Sequence, residues 1–384
     1  TNIMEALQRL HNRGSISTGP YDIDNSCKFE SNNSEQLYRT PSSDGNMKTW
    51  TVSIWFKRTE LGASAQLISA LDTYMYFETN DQAWLNFRSG SENFFLATNR
   101  VFRDTSAWYH AVIVCDTTDS TAADRAKLYI NGERQTSYAN STYQNLHSGI
   151  STGMNAATVH RIGTYSNFGA YFNGYMAEIN QIDGQALDPT EFGEFDDSGI
   201  WKPKAYTGTY GTNGFYLDFA DASDLGDDES GNGNDFTEGN ITSADQATDT
   251  PTNNFCTWNP LWNYASYPTI SEGATKVRID DSTDEGAKAS IGLTNGKWYW
   301  EAKPVGTIGS QYIGIQTDGD SNIYSNANSL LNNYTMVINT TGRYYSYSGS
   351  LSESSAGQFT NFTTSQWLGI ALDMDSGTQT IKYY

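Results

Sequence analysis

The chain has 384 residues, enough for two ordinary domains each with its own core. Its 23 basic against 44 acidic side chains leave a formal charge of −21, a field that repels polyanions and excludes nucleic acid as a partner. No apolar run approaches the length needed to cross a bilayer and no charged-then-apolar leader opens the sequence, so neither membrane insertion nor a signal peptide is expected.

Aromatic residues are abundant (25 Tyr, 17 Phe, 10 Trp) while charged residues make up only 17%, a composition that favours many short strands joined by turns. The expected fold class is all-β, with two antiparallel β-sandwich (jelly-roll) domains behind a short N-terminal helix. Cys27, Cys115 and Cys256 are isolated from one another, with no CxxC, and read as buried reduced thiols.

Residues 1–20 read as a helical arm. Ile3, Met4, Leu7 and Leu10 share one helical face, Asn2 with Glu5 can form a capping box, and Gly14 can end the helix. A helix this short is marginal alone, so it must dock, either on its own domain or on another chain as an assembly arm.

From residue 21 to 195 strand follows strand. TWTVSIWFKR alternates Trp50, Val52, Ile54 and Phe56 against Thr51, Ser53 and Lys57, with Trp55 breaking the polar face. WYHAVIVCD sets Tyr109, Ala111, Ile113 and Cys115 on one side, and AKLYINGER places the turn dipeptide Asn131-Gly132 directly after Leu128-Tyr129-Ile130. YMAEINQIDG alternates through Met176, Glu178 and Asn180. Antiparallel strands at this spacing argue a sandwich or jelly roll, with Val52, Ile54, Phe56, Ile113, Leu128 and Ile130 in its core.

Residues 196–262 read as a Gly/Asp/Asn-rich connecting segment with some strand. Its stretch DDESGNGNDFTEGN lacks the third glycine and the strand–helix context of a phosphate cradle. Gly231, Gly233 and Asn234 suit tight turns, which is the first reading. The second is calcium, for which Asp227, Asp228, Asn232, Asn234 and Asp235 offer oxygen ligands without the alternating order of an EF-hand loop. Residues 263–384 read as a second module.

Catalytic signatures are missing. His11, His110, His147 and His160 lie far apart with no zinc spacing, and there is no nucleophile elbow and no P-loop. Glycoside hydrolysis needs paired carboxylates on one strand; Glu194-Phe195-Asp196-Asp197 comes nearest but lacks a second glutamate and lies in a turn-like stretch. The expectation is no enzyme.

The ordered succession SCKFESNNSEQLYRT, TWTVSIWFKR, AWYHAVIVCDTT, KLYINGE and FNGYMAEINQIDGQALDPTEFGEF resembles laminin-G-like, concanavalin-A-like jelly rolls. The version with IDGQALDPTEFGE followed by GTNGFYLDFADASDLGDDESGNGNDFT is similar to one found in marine bacteriophage virion proteins. NGKWYWEAK, YIGIQ and QWLGIALDMDSGTQTIKYY resemble a SPRY-type sandwich that stops before its closing strands, implying that the natural chain continues after Tyr384.

The resemblance implies a virion surface protein (tail fibre, spike or capsid decoration) that touches host-surface glycans. It also implies other virion proteins as partners and a homo-oligomer, a trimer being the first expectation. The alternatives are a purely architectural virion protein and a glycan hydrolase. Sugar sites pair aromatic faces with amides and carboxylates, so Tyr165, Phe168 and Tyr171 in YSNFGAYF and Tyr344, Tyr345 and Tyr347 in YYSYSGS are the candidate glycan residues. Calcium is the one cofactor considered.

Overall fold

The structure, a computed structural model, describes residues 21–89, 92–140, 147–165, 169–264, 268–278, 286–305, 313–316, 334–337, 344–347, 351–353, 366–377 and 380–384. The proposed arm, with Ile3, Met4, Leu7 and Leu10, lies outside them. The described residues are nearly all β, 44% strand and 4% helical, with antiparallel sheets in sandwich-like layers. None of their helices is long and apolar enough to cross a membrane.

One compact unit holds the described residues up to Pro260 together with Ser271–Lys276. Its strands in chain order are β1 (Ser26–Phe29), β2 (Gln36–Arg39), β3 (Thr49–Arg58), β4 (Ala65–Ala70), β5 (Thr73–Phe77), β6 (Gln82–Ser89) and β7 (Glu92–Val101). There follow β8 (Tyr109–Asp116), β9 (Ala126–Ile130), β10 (Glu133–Arg134), β11 (His160–Ile162), β12 (Gly174–Asp183), β13 (Gly193–Phe195) and β14 (Trp201–Pro203). The last three are β15 (Phe215–Leu217), β16 (Thr237–Gly239) and β17 (Gln246–Ala247). An eight-stranded sheet runs β10-β9-β8-β3-β12-β1-β17 with β15 added beside β12, and a seven-stranded sheet runs β16-β2-β11-β4-β5-β6-β7.

The inward faces of the two sheets close one core. Trp50, Val52, Ile54 and Phe56 on β3, Tyr109, Ala111, Ile113 and Cys115 on β8, and Leu128 and Ile130 on β9 meet Met75, Phe77, Leu85, Phe87, Phe94 and Leu96 of the other sheet. Period-two alternation thus places the expected residues inside. Residues 196–257 are stitched into both sheets through β15, β16 and β17, and contribute Phe215, Leu217, Phe219, Leu225, Phe236 and Ile241 to the same core.

The outward face of the eight-stranded sheet is covered too, which is why β3 is buried on both sides. Trp55 stacks on His110 at 4.5 Å, and Trp201 from the β13–β14 hairpin lies beside the His110 ring, its centroid 6.0 Å away and its plane within 21°. The Trp201 indole N–H donates to His110 Nδ1 at 2.9 Å, so the imidazole proton sits on Nε2, 2.7 Å from Ser53 Oγ. His110 is a packed residue, its pKa driven down to about 3 by burial. Asn131 and Gly132 both take positive φ, 52° and 78°, as the expected turn requires, and a side chain at 132 would strike the Trp201 ring.

Alternation fails on β12. The ladder with β3 shifts register between Ala177 and Asn180, and Glu178 adopts φ 49° at this bulge. Met176 and Ile179 therefore face the core while Glu178 turns away from it. Cys27 and Cys115 are buried as expected, but Cys256 is exposed, because it follows the last strand of the roll.

The second unit holds Leu261–Ile270 and Val277–Tyr384. Strand Lys297–Ala302 pairs antiparallel with Leu368–Asp373, which pairs with Thr380–Tyr383. Leu368, Ile370 and Leu372 are buried there. A four-stranded antiparallel meander is formed by Ile313–Gln316, Tyr334–Val337, Tyr344–Tyr347 and Leu351–Glu353.

Candidate functional site

The outward face of the seven-stranded sheet carries a row of half-buried aromatic rings. Alternation on β5 puts Met75 and Phe77 into the core and Tyr74 and Tyr76 outside, and the register carries the pattern to the neighbouring strands. Gln66, Tyr76 and Trp84 stand opposite one another across β4, β5 and β6. Beside them Ser69, Tyr74, Asn86 and Phe95 align across β4 to β7, and Arg161 on β11 and Tyr38 on β2 continue that line.

Successive rings are in contact. Tyr165 lies 4.9 Å from Tyr74, Tyr74 5.6 Å from Tyr76, Tyr76 5.9 Å from Trp84, and Trp84 5.6 Å from Phe95. Polar groups are set among them. Tyr165 Oη donates to Asp72 Oδ1 at 3.3 Å, Asn86 Nδ2 donates to the Asp72 carbonyl at 2.9 Å, and Ser64 Oγ donates to Glu78 Oε1 at 3.1 Å. The Trp84 indole N–H and Gln66 Oε1 are buried and find no hydrogen-bond partner among the described residues. Such groups cost about 1–3 kcal/mol each when left unpaired. At the β2 end the Arg161 guanidinium sits 5.6 Å over Tyr38 and donates to Gln36 Oε1 at 2.6 Å.

Of the expected glycan residues, Tyr165 joins this row. Tyr171 is half-buried outside it, and Phe168 lies outside the described residues. Tyr344, Tyr345 and Tyr347 fall on one strand of the second unit, paired in register with Tyr334–Val337 and Leu351–Glu353. Tyr74, Tyr76, Trp84 and Phe95 escape a reading aimed at loops. Their signal was the aromatic alternation of TYMYF and QAWLNF, which marks a strand with aromatic residues on both faces.

The expected calcium ligands fold onto the loop before β15. Asp228 Oδ1 accepts from the N–H groups of Tyr216 at 2.8 Å and Ser230 at 3.0 Å, and Oδ2 from Ser230 Oγ at 2.8 Å and Asn234 N–H at 2.7 Å. Asn232 Nδ2 donates to the carbonyls of Gly211 and Gly214, and Asn234 Nδ2 to those of Thr212 and Gly214. Arg39 donates to Asn234 Oδ1, and the N–H of Asp228 donates to Asp235 Oδ1 at 3.2 Å. Asp227 stays at the surface, its carboxyl held above its ordinary value by slight desolvation and by Asp224 and Asp235. Four donors hold Asp228, as the turn reading of this loop expects. Melting curves in millimolar calcium and in chelator should therefore coincide; a rise with calcium would restore the metal reading.

The nearest hydrolase-like carboxylates serve a turn. Asp196 Oδ1 accepts from the N–H groups of Ser198 and Ile200, and its other oxygen lies 2.9 Å from Lys202 Nζ. Elsewhere, Glu178 is nine-tenths buried and accepts from Tyr21 Oη at 2.8 Å and Tyr216 Oη at 2.7 Å. Its carboxyl is pushed up to about 7 by burial, against the lowering effect of the Tyr216 and Tyr21 hydrogen bonds.

Residues 31–191 match a family profile described as the concanavalin A-like lectin/glucanases superfamily, a laminin G type. The jelly roll is therefore of the concanavalin A-like lectin fold. Among solved structures, the heptameric SAP-like pentraxin of Limulus polyphemus is similar at 18% identity, covering 44% of this chain and 79% of that one with a TM-score of 0.32. The mouse laminin α1 chain domains LG4-5 align at 8% identity over 96% of this chain and 78% of theirs, with a TM-score of 0.35. The sialidase CBM40 of Ruminococcus gnavus, bound to α2,3 sialyllactose, aligns at 17% identity over 37% of this chain and 89% of its own, with a TM-score of 0.25. No curated protein matches the chain.

Proposed function

We propose that the protein is a non-catalytic phage virion surface protein, a tail fibre, spike or capsid decoration, whose jelly roll attaches to host-surface glycans. The observation that carries the binding half is the row Tyr165, Tyr74, Tyr76, Trp84 and Phe95 on the outward face of a lectin-type sheet. Aromatic faces stack on the apolar planes of sugars, while amides and carboxylates such as Asn86, Asp72 and Glu78 suit their hydroxyls. The virion half rests on the ordered motifs from Ser26 to Asn254 that resemble marine phage proteins. An oligomer, with a trimer as the first expectation, would present several such faces at once and raise avidity without any new contact.

A glycan array with the purified full chain tests the reading. At least one glycan class should bind, and Trp84→Ala, checked for an unchanged melting profile, should weaken it by about tenfold or more, which corresponds to about 1.4 kcal/mol. An empty array would leave the purely architectural virion role. Release of free sugar from any bound glycan would point to a hydrolase instead.

A further inference from the structure

Resting on the glycan reading, we infer that the outward face of the seven-stranded sheet takes an internal stretch of a single, uncharged polysaccharide chain, several consecutive sugars laid across β5, β6 and β7. The first argument is spacing. The contacting rings, 4.9 to 5.9 Å apart, fall in two adjacent cross-strand lines, Tyr74 with Phe95 in one and Tyr76 with Trp84 in the next, with Tyr165 beside Tyr74. Tyr74 and Phe95 are two strand spacings apart, about 10 Å, so the aromatic surface is longer than one sugar, whereas a terminal residue needs one ring and a walled pocket.

The second argument is ring inclination. Neighbouring rings are inclined to each other by 50°, 58°, 42° and 32°, so they do not form one flat platform. Coplanar rings would suit the flat surface of a crystalline polysaccharide. Inclined rings suit a free chain whose sugars rotate from one to the next.

The third argument is polarity and charge. Trp84 Nε1 is an unpaired donor and Gln66 Oε1 an unpaired acceptor, flanking Tyr76 in one cross-strand line. A hydroxyl both donates and accepts, so one ligand chemistry answers both. The carboxylates of Asp72 and Glu78 border the rings, while the Arg161 guanidinium lies at the β2 end over Tyr38, with one nitrogen donating to Gln36 and its Nε unpaired. With a formal charge of −21 on the whole chain, an acidic glycan meets repulsion from both the near and the far field.

The test is titration calorimetry of the full chain with ladders of β-1,4-gluco-, β-1,4-manno- and α-1,4-gluco-oligosaccharides from monosaccharide to hexasaccharide. Soluble neutral glucan and mannan, polygalacturonate, alginate and crystalline cellulose complete the set. In at least one neutral series affinity should climb by about tenfold or more between mono- and tetrasaccharide and then level off. Tyr165→Ala, at the end of the row, should lower tetrasaccharide affinity more steeply than disaccharide affinity, and Trp84→Phe should weaken every length while keeping the fold. A monosaccharide that binds as tightly as a tetrasaccharide, or preference for an anionic or crystalline polymer, overturns this inference and leaves glycan binding standing. If no carbohydrate binds, both fall, and loss of particle assembly by the Trp84 variant would then assign the face to a protein partner.

Discussion

Replacing Asp249 with alanine is expected to lower the stability of the jelly roll by about 3–5 kcal/mol, the loss that follows when one partner of a buried ion pair is removed. Lys57, on the outward face of β3, is fully buried, and its Nζ donates to Asp249 Oδ2 at 2.7 Å, Asn254 Oδ1 at 2.8 Å and the Phe255 carbonyl at 2.7 Å. Asp249 Oδ1 accepts from the Trp108 indole at 2.9 Å, and the Asp249 carbonyl accepts from Ser26 Oγ at 2.6 Å. The segment that closes over the eight-stranded sheet is therefore fastened to β1 and β3 around this carboxylate. Alanine leaves the Lys57 charge with two neutral acceptors and no counter-ion. The double variant Lys57→Met with Asp249→Leu removes both charges and should lose far less, because paired buried charges are often matched by apolar residues of similar volume. Urea unfolding of the three proteins gives the comparison. A loss below about 1 kcal/mol for the single variant would show that the neutral acceptors alone carry the lysine.

What the sequence made legible is what period and turn chemistry encode. Val52, Ile54 and Phe56 lie in the core because successive strand side chains take opposite faces, and Asn131-Gly132 turns because both positions need positive φ. Tertiary cover was not legible. Trp55, which breaks the polar face of β3, makes sense only once His110 stacks on it and Trp201 closes beside His110, and Trp201 arrives from a hairpin far along the chain. The same holds for the site. Tyr165 could be picked from a loop rich in aromatic residues, but Trp84 and Gln66 become neighbours of Tyr76 only through the register of β4, β5 and β6. Asp228 belongs to a stretch that reads first as a turn, but that the N–H of Tyr216 converges on it with those of Ser230 and Asn234 is visible only in the fold. Simple alternation sets Glu178 in line with Met176, because a bulge leaves no mark on it.

That bulge gives the protein a pH dependence of unusual sign. The Glu178 carboxyl is pushed up to about 7 from an ordinary 4.5, chiefly by burial, with Asp218 adding to it and the hydrogen bonds from Tyr216 and Tyr21 opposing it. The folded chain thus holds this proton more tightly than the unfolded chain. The stability it contributes is fully present below the unfolded value and is lost as pH rises through the folded one, a span worth about 3 kcal/mol. Two buried imidazoles act in the other direction. His110 is driven down to about 3 and His160 to about 4, both by burial first, so each withdraws stability as pH falls below 6.5. By about pH 5 they withdraw about 2 kcal/mol each, enough to mask the carboxyl in the native protein alone. Glu178→Gln isolates it, since glutamine keeps an oxygen for one phenol and cannot ionise. The variant should match the native protein near about pH 4 and exceed it by about 3 kcal/mol above about pH 8, with both imidazole contributions cancelling in the difference. Denaturant unfolding at several pH values measures that difference directly. A difference that stays flat across the range would mean that Tyr21 and Tyr216 keep the carboxylate ionised in the fold, so that the two hydrogen bonds, not burial, govern the site.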